Sequence, residues 1–344
     1  MKLFLHPGHA KCGSTSIQRA TIRNRAILAG HHVVIPDSQL RLPGESGFNP
    51  HAETPRKFFR QVMESGDTDR LAARLHAWQD APQWRDATFL ISAENLVNHL
   101  MQPIGRQIHG LLTESFESAE VIYYVRRQDD YVLSAWQQWG FKEGKKFEEY
   151  YKEAQRRRNP HYWAIAQMFS QLYGRDSVTV RPLTSAALKD GDLLTDFFSR
   201  LADDLSDFDF DQSRSNISLN PFFCEILAEQ RGLFKNVHDD ELKQRLLQTL
   251  GPESELFRKE KAFMSPEAVR SIMDHYLEEN RQLHRQFFPH LDFDTVFGPR
   301  RDDDLADADR RRLSRQREKI IQKRAIRELI GLLQSEKREP HMTA

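Results

Sequence analysis

Over roughly the first 180 residues, short apolar runs alternate with longer stretches in which apolar residues recur every three or four positions. Leu3-Phe4-Leu5, His32-Val33-Val34-Ile35, Ala87-Thr88-Phe89-Leu90-Ile91, Val121-Ile122-Tyr123-Tyr124-Val125 and Val178-Thr179-Val180-Arg181-Pro182 read as strands. The spacing predicts helices over 14–29, 55–65, 68–79, 104–115, 131–136, 142–158, 162–173 and 193–201. Strands that alternate with helices predict a parallel sheet flanked by helices, joined by right-handed crossovers. The 121–125 run is the most apolar and is expected at the centre of that sheet.

Beyond about 205 the β signal disappears. Residues 220–288 read as helices broken at Gly251-Pro252 and at Ser265-Pro266, the second break being an N-cap followed by proline at the first helical position. From Arg300 the chain is strongly charged, with Asp302-Asp303-Asp304 and Arg310-Arg311-Arg312, and a last helix is expected over 305–335. The expected organisation is one α/β domain over 1–298, including its helical part from about 205, followed by a charged helical tail over 299–344. That tail reads as a solvent-facing or oligomerising helix, which makes a homo-oligomer possible.

Charge alters this picture little. Lys+Arg and Asp+Glu each number 50 and cancel, so no global field draws the 344-residue chain to nucleic acid or to a membrane surface, and any anion site has to be local. Nowhere do about 18 apolar residues run together, so no membrane span is expected. Two cysteines, Cys12 and Cys224, are too few for a disulfide framework, and the amino terminus lacks the apolar core of a signal peptide. The expected location is cytoplasmic.

The chemistry concentrates where strands end. Directly after the first strand comes His6-Pro7-Gly8-His9-Ala10-Lys11-Cys12-Gly13-Ser14-Thr15-Ser16-Ile17-Gln18, and directly after it a helix. A glycine-bearing loop between a strand and a helix cradles phosphate with backbone N–H groups and the helix dipole. Gly8 and Gly13 have the spacing of a Walker A loop, but Ser14 stands where its lysine belongs, and the cation is at Lys11. The candidate ligand-binding set is Gly8, Lys11, Cys12, Gly13, Ser14, Thr15 and Ser16. A second candidate lies at the end of the fourth strand: Arg126, with Ser134 eight residues on in the next helix. A guanidinium fork and a hydroxyl suit a phosphate; the competing role for Arg126 is a strand-end ion pair with Asp129 or Asp130.

The loop H-x-G-x-x-K-x-G-S-T-S-I-Q, together with Tyr124-Val125-Arg126-Arg127-Gln128-Asp129-Asp130-Tyr131, resembles bacterial sulfotransferases that use 3′-phosphoadenosine 5′-phosphosulfate (PAPS). Similar features follow at Val180-Arg181-Pro182, Gly191-Asp192-Leu193-Leu194, Asp196-Phe197, Asn216-Ile217-Ser218-Leu219 and the segment 276–280, so the resemblance covers roughly 1–298. The glycine-rich run that completes the nucleotide site in cytosolic sulfotransferases has no counterpart.

The resemblance implies a P-loop NTPase-like sulfotransferase fold with a helical carboxyl-terminal portion. It implies PAPS as co-substrate with no metal, the 5′-phosphosulfate in the first loop, and the 3′-phosphate at Arg126 and Ser134. The reaction would move a sulfuryl group by in-line displacement to a hydroxyl or amino group of a small-molecule or glycan acceptor, and the resemblance favours a carbohydrate. Lys11 would stabilise the leaving oxygen. A base is needed near the acceptor; Glu94 is the first candidate, with His51 and Glu45 as alternatives, while the competing role for Glu94 is to complement a helix dipole. Lys142, Lys145, Lys146 and 156–158 suggest either an anionic-acceptor face or a solvated one. The rival functions are a P-loop kinase-like phosphotransferase and a sulfotransferase-like protein that binds without turnover.

Overall fold

A computed structural model describes residues 1–210, 217–260, 263–299 and 315–328. Five parallel strands form one sheet: β1 (Lys2–His6), β2 (Val33–Val34), β3 (Thr88–Ser92), β4 (Ser118–Val125) and β5 (Val178–Pro182), in the order β2-β3-β1-β4-β5. The expected α/β class with a helix-flanked parallel sheet is what the chain adopts. The centre is β1, however, with β4 one place outward between β1 and β5. Both strands are covered on two faces, so apolar content does not distinguish their ranks. On β4, Tyr123 meets the rings of Tyr162 and Phe169, while its neighbour Tyr124 hydrogen-bonds Asp196 on the other side.

Between these strands lie α1 (Ser14–Arg23), α2 (Arg25–Gly30), α3 (Arg56–Ser65), α4 (Thr68–Gln79), α5 (Asn95–Asn98), α6 (Pro103–Ser115), α7 (Gln128–Trp136), α8 (Phe147–Arg156) and α9 (Tyr162–Tyr173). The single helix expected over 14–29 is two, broken at Asn24. Its amide donates to the carbonyls of Ala20 and Asp209, at 2.9 and 3.0 Å, and its Oδ1 accepts from the Asp209 N–H at 2.7 Å. A side chain committed to a remote strand of backbone competes with the helix's own ladder. The stretch expected as one helix over 142–158 begins instead as a 3₁₀ turn, Gly140–Glu143, before α8.

After β5 come α10 (Leu193–Phe198), α11 (Pro221–Ala228), α12 (Glu241–Leu250), α13 (Pro266–His275), α14 (Leu277–Phe287) and α15 (Phe293–Phe297). No strand follows β5 among the described residues. Ser265 caps α13 as expected, accepting from the Ala268 N–H at 3.2 Å, with Pro266 at the first position. Of the expected 305–335 helix, residues 315–328 are helical and the rest lies outside the described residues. This helix buries Ile321 and Ala325, and Ser254 donates to Glu328 at 2.9 Å.

The described residues divide between two compact units: Met1–Arg127, His161–Ser213 and Glu278–Gly298 in the first, Gln128–Pro160, Arg214–Leu277 and Pro299–Ala344 in the second. The first contains the whole sheet. Among the described residues no helix is long and apolar enough to cross a membrane.

Candidate functional site

In a parallel sheet every strand ends at the same edge, and loops leaving that edge bind ligands. Across the order β2-β3-β1-β4, the segments that leave it are the loop 36–52, the Glu94 turn, the loop 7–13 and Arg126. The topology therefore sets Glu94 between the first and the third of these.

The loop 7–13 has a shape that side chains resist. Gly8, Lys11 and Gly13 have φ of 65°, 62° and 86°. A Cβ on Gly8 would lie 2.9 Å from Ser14 Oγ and 3.0 Å from Glu94 Cγ, and one on Gly13 would strike Leu193 of α10. Lys11 is the only non-glycine among the three, and a left-handed lysine costs about 1–3 kcal/mol and persists only because its surroundings impose it. The His9 carbonyl closes the turn by accepting from the Cys12 N–H at 3.1 Å and from Ser14 Oγ at 3.2 Å.

Helix α1 starts from this turn. Its N-cap, Gly13, offers no side chain, and the first turn holds no acid. The Gly13 carbonyl takes the N–H groups of Ser16 and Ile17 at 3.0 and 3.2 Å, so the N–H groups of Ser14 and Thr15 form the open end of a ten-residue helix. Anions are favoured there because the uncapped donors and the dipole act in one direction.

The side chains of two members of the expected set are engaged within the fold. Cys12 is fully buried, its N–H goes to His9, and its Sγ lies 3.5 Å from Tyr162 Oη. Burial pushes its thiol up to about 11, so it is not a thiolate at neutral pH. Ser14 is buried too and its hydroxyl points inward to His9, which leaves its N–H as the group to offer. Thr15 is exposed, and Lys11, Gly13 and Ser16 are half-buried.

Arg126 joins the loop directly: its Nη1 donates to the Lys11 carbonyl at 3.3 Å. The charges of Arg126 and Glu94 both act on the Cys12 thiol. Lys11, Glu94 and Arg126, predicted from three separate strand ends, thus meet around one loop. Glu94 is half-buried at the N-cap of α5 and its side chain caps no N–H there; the dipole role foreseen for it takes the form of proximity without a bond.

The remaining candidates are placed as follows. Ser134 is half-buried on α7, in the second unit. Both oxygens of Glu45 are engaged, Oε1 by the Leu42 N–H at 2.9 Å and Oε2 by Arg74 at 2.6 Å, so it is poorly suited to act as a base. His51 is exposed, with its N–H on Asn49 Oδ1. His6 and His9 are buried, and desolvation lowers them to about 3 and about 4; neither carries charge at neutral pH. In the second unit, Lys142 pairs with Asp240, Lys145 with Glu143 and Glu153, and Lys146 with Glu225 and Glu229, so the lysines that suggested an anionic-acceptor face are neutralised by neighbouring acids.

Sequence reasoning quoted Leu193 and Asp196 without giving them roles. Asp196, 3% exposed, accepts from Tyr124 Oη at 2.8 Å, from the Lys189 N–H at 2.9 Å and from Arg181. It fixes the helix whose Leu193 lies over Gly13. The signal was the Asp192 cap of α10, which accepts from the Thr195 N–H at 2.8 Å. No protein-family model, no curated protein and no solved structure matches this chain.

Proposed function

We propose that the chain is a PAPS-dependent sulfotransferase of the P-loop-like type, cytoplasmic, acting on a hydroxyl or amino acceptor. The observation that carries the reading is the Arg126 guanidinium on the carbonyl of Lys11, which brings together two candidate anion-binding segments that the sequence keeps 115 positions apart. The donor set fits the co-substrate. Uncapped N–H groups at Ser14 and Thr15, the Thr15 and Ser16 hydroxyls and the Lys11 ammonium suit the 5′-phosphosulfate, and a guanidinium one strand away suits a further phosphate.

When bound, PAPS supplies an activated sulfuryl group whose leaving oxygen gathers negative charge. Lys11 holds that charge: a cation about 4 Å from an oxyanion contributes about 4 kcal/mol at an effective dielectric of 20. Glu94, between the loop 36–52 and the phosphate loop, accepts the proton of the acceptor. The test is calorimetry with adenosine 3′,5′-bisphosphate against ATP with Mg²⁺. Tighter bisphosphate binding is expected, and preference for ATP would return the chain to the kinase-like class. Label transfer from ³⁵S-PAPS then separates an enzyme from a binding protein.

A further inference from the structure

The loop 36–52 leaves the same sheet edge as the phosphate loop and is separated from it by the Glu94 strand. Most exposed loops are held by a few backbone turns, whereas this one is held by buried charges. Asp37, 2% exposed, accepts the N–H groups of Gln39, Arg41 and Asn49 at 2.7, 2.9 and 3.3 Å. Arg25, 7% exposed, donates to the carbonyls of Pro36, Asn49, Pro50 and Ala52, gripping both ends of the loop.

The middle of the loop is strained and clamped from α4. Leu40 is fully buried with φ of 58°, a conformation that a bulky side chain adopts only when its surroundings impose it. Its carbonyl accepts from Arg74 Nε at 3.0 Å and from Trp78 Nε1 at 3.3 Å, while Arg74 Nη2 also holds Glu45 at 2.6 Å. Such strain clusters at ligand clamps because a preformed shape loses little entropy on binding.

The exposed tip has a definite character. Arg41 turns back onto the Gly47 carbonyl at 2.6 Å and Glu45 pairs with Arg74 of α4, so both charged side chains are turned onto the loop and its clamp. Ser46, Gly47, Asn49 and His51 are exposed, a set of hydrogen-bonding groups that includes no carboxylate, ammonium or guanidinium. An acceptor bearing hydroxyls and no charge matches that set without leaving an ion unpaired.

Resting on the sulfotransferase reading, we propose that the loop 36–52 recognises an uncharged, hydroxyl-bearing acceptor and that Arg74 and Arg25 are positioning residues that fix its shape. The probe is a panel of uncharged p-nitrophenyl glycosides with ³⁵S-PAPS. Arg74→Ala is expected to raise the glycoside KM by about tenfold or more, with kcat and the PAPS KM changed less than about twofold. Ser46→Arg, which leaves the clamps intact, covers the case in which Arg74→Ala fails to fold, and is expected to raise the glycoside KM alone.

An unchanged glycoside KM in Ser46→Arg would overturn the proposal, as would equal increases in both KM values in Arg74→Ala. Wild-type protein that binds adenosine 3′,5′-bisphosphate yet sulfates no glycoside overturns the acceptor assignment and leaves the sulfotransferase reading standing. Wild-type protein that does not bind the bisphosphate removes the reading itself.

Discussion

The Arg126 guanidinium donates to the carbonyl of Lys11 at 3.3 Å, and Lys11 is the non-glycine residue with left-handed backbone in the loop 7–13. One contact therefore ties the shape of the loop to a cation at the end of the neighbouring strand. On the sulfotransferase reading Arg126 has two separable tasks, to hold the loop and to attract an anion.

Substitution separates these tasks. Arg126→Ala is expected to weaken adenosine 3′,5′-bisphosphate more than adenosine 5′-phosphate, both measured by calorimetry, because the loss of a charge-assisted phosphate contact affects only the ligand with the 3′ group. Equal losses would show that Arg126 acts solely through the Lys11 carbonyl.

Lys11 itself offers a cleaner dissection. Lys11→Gly deletes the ammonium and relieves a φ of 62° that glycine adopts without a Cβ penalty. We expect turnover to fall by about 10²- to 10³-fold, while the unfolding midpoint in urea stays level or rises. Undiminished turnover would remove Lys11 from the chemistry, and a lower midpoint would contradict the strain argument.

The strands and the glycine-bearing turn at 7–13 were legible because each depends on local sequence. A run such as 121–125 has to be buried on both faces, and Gly8 and Gly13 mark a turn wherever the chain goes. What the sequence hid depends on remote partners. The break at Asn24 needs Asp209, 185 residues away. The rank of β1 over β4 is a matter of pairing, which apolar content does not encode. The lysines at 142, 145 and 146 read as a basic edge because three of their acids, Asp240, Glu225 and Glu229, lie far along the chain.

Asp196 is expected to dominate the stability of the α10 corner. Burial alone would push its carboxyl up, but Arg181, the Lys189 N–H and Tyr124 Oη outweigh this and hold it below the usual carboxylate range. Asp196→Ala strips Arg181 of its partner and Tyr124 of its acceptor, a loss of about 3–5 kcal/mol for a broken buried pair. Denaturant titration should show that loss, and since α10 carries Leu193 over Gly13, bisphosphate affinity should fall with it. A loss under about 1 kcal/mol would place the pair among exposed ones.

Three buried histidines should make the fold sensitive to acid at a pH where carboxylates remain charged. Burial lowers His6 to about 3 and His9 and His109 to about 4, against 6.5 when unfolded. His109 is also fixed as a neutral tautomer, since its Nε2 lies 3.1 Å from the Leu96 carbonyl and donates, which leaves Nδ1 to accept from Tyr173 Oη at 2.6 Å. The unfolded chain binds protons that the folded chain refuses, so stability rises with pH across this window and is fully present above about 6.5. As pH falls from 6.5 toward 4, each histidine is expected to remove up to about 1.4 kcal/mol per pH unit, with His6 continuing to about 3. Urea midpoints at pH 7.5, 6, 5 and 4 measure the slope, and calorimetric unfolding near pH 5 in buffers of different ionisation enthalpy counts the protons, about three from these residues. A midpoint constant between pH 7.5 and 5 would mean that the three rings are solvated in the folded protein.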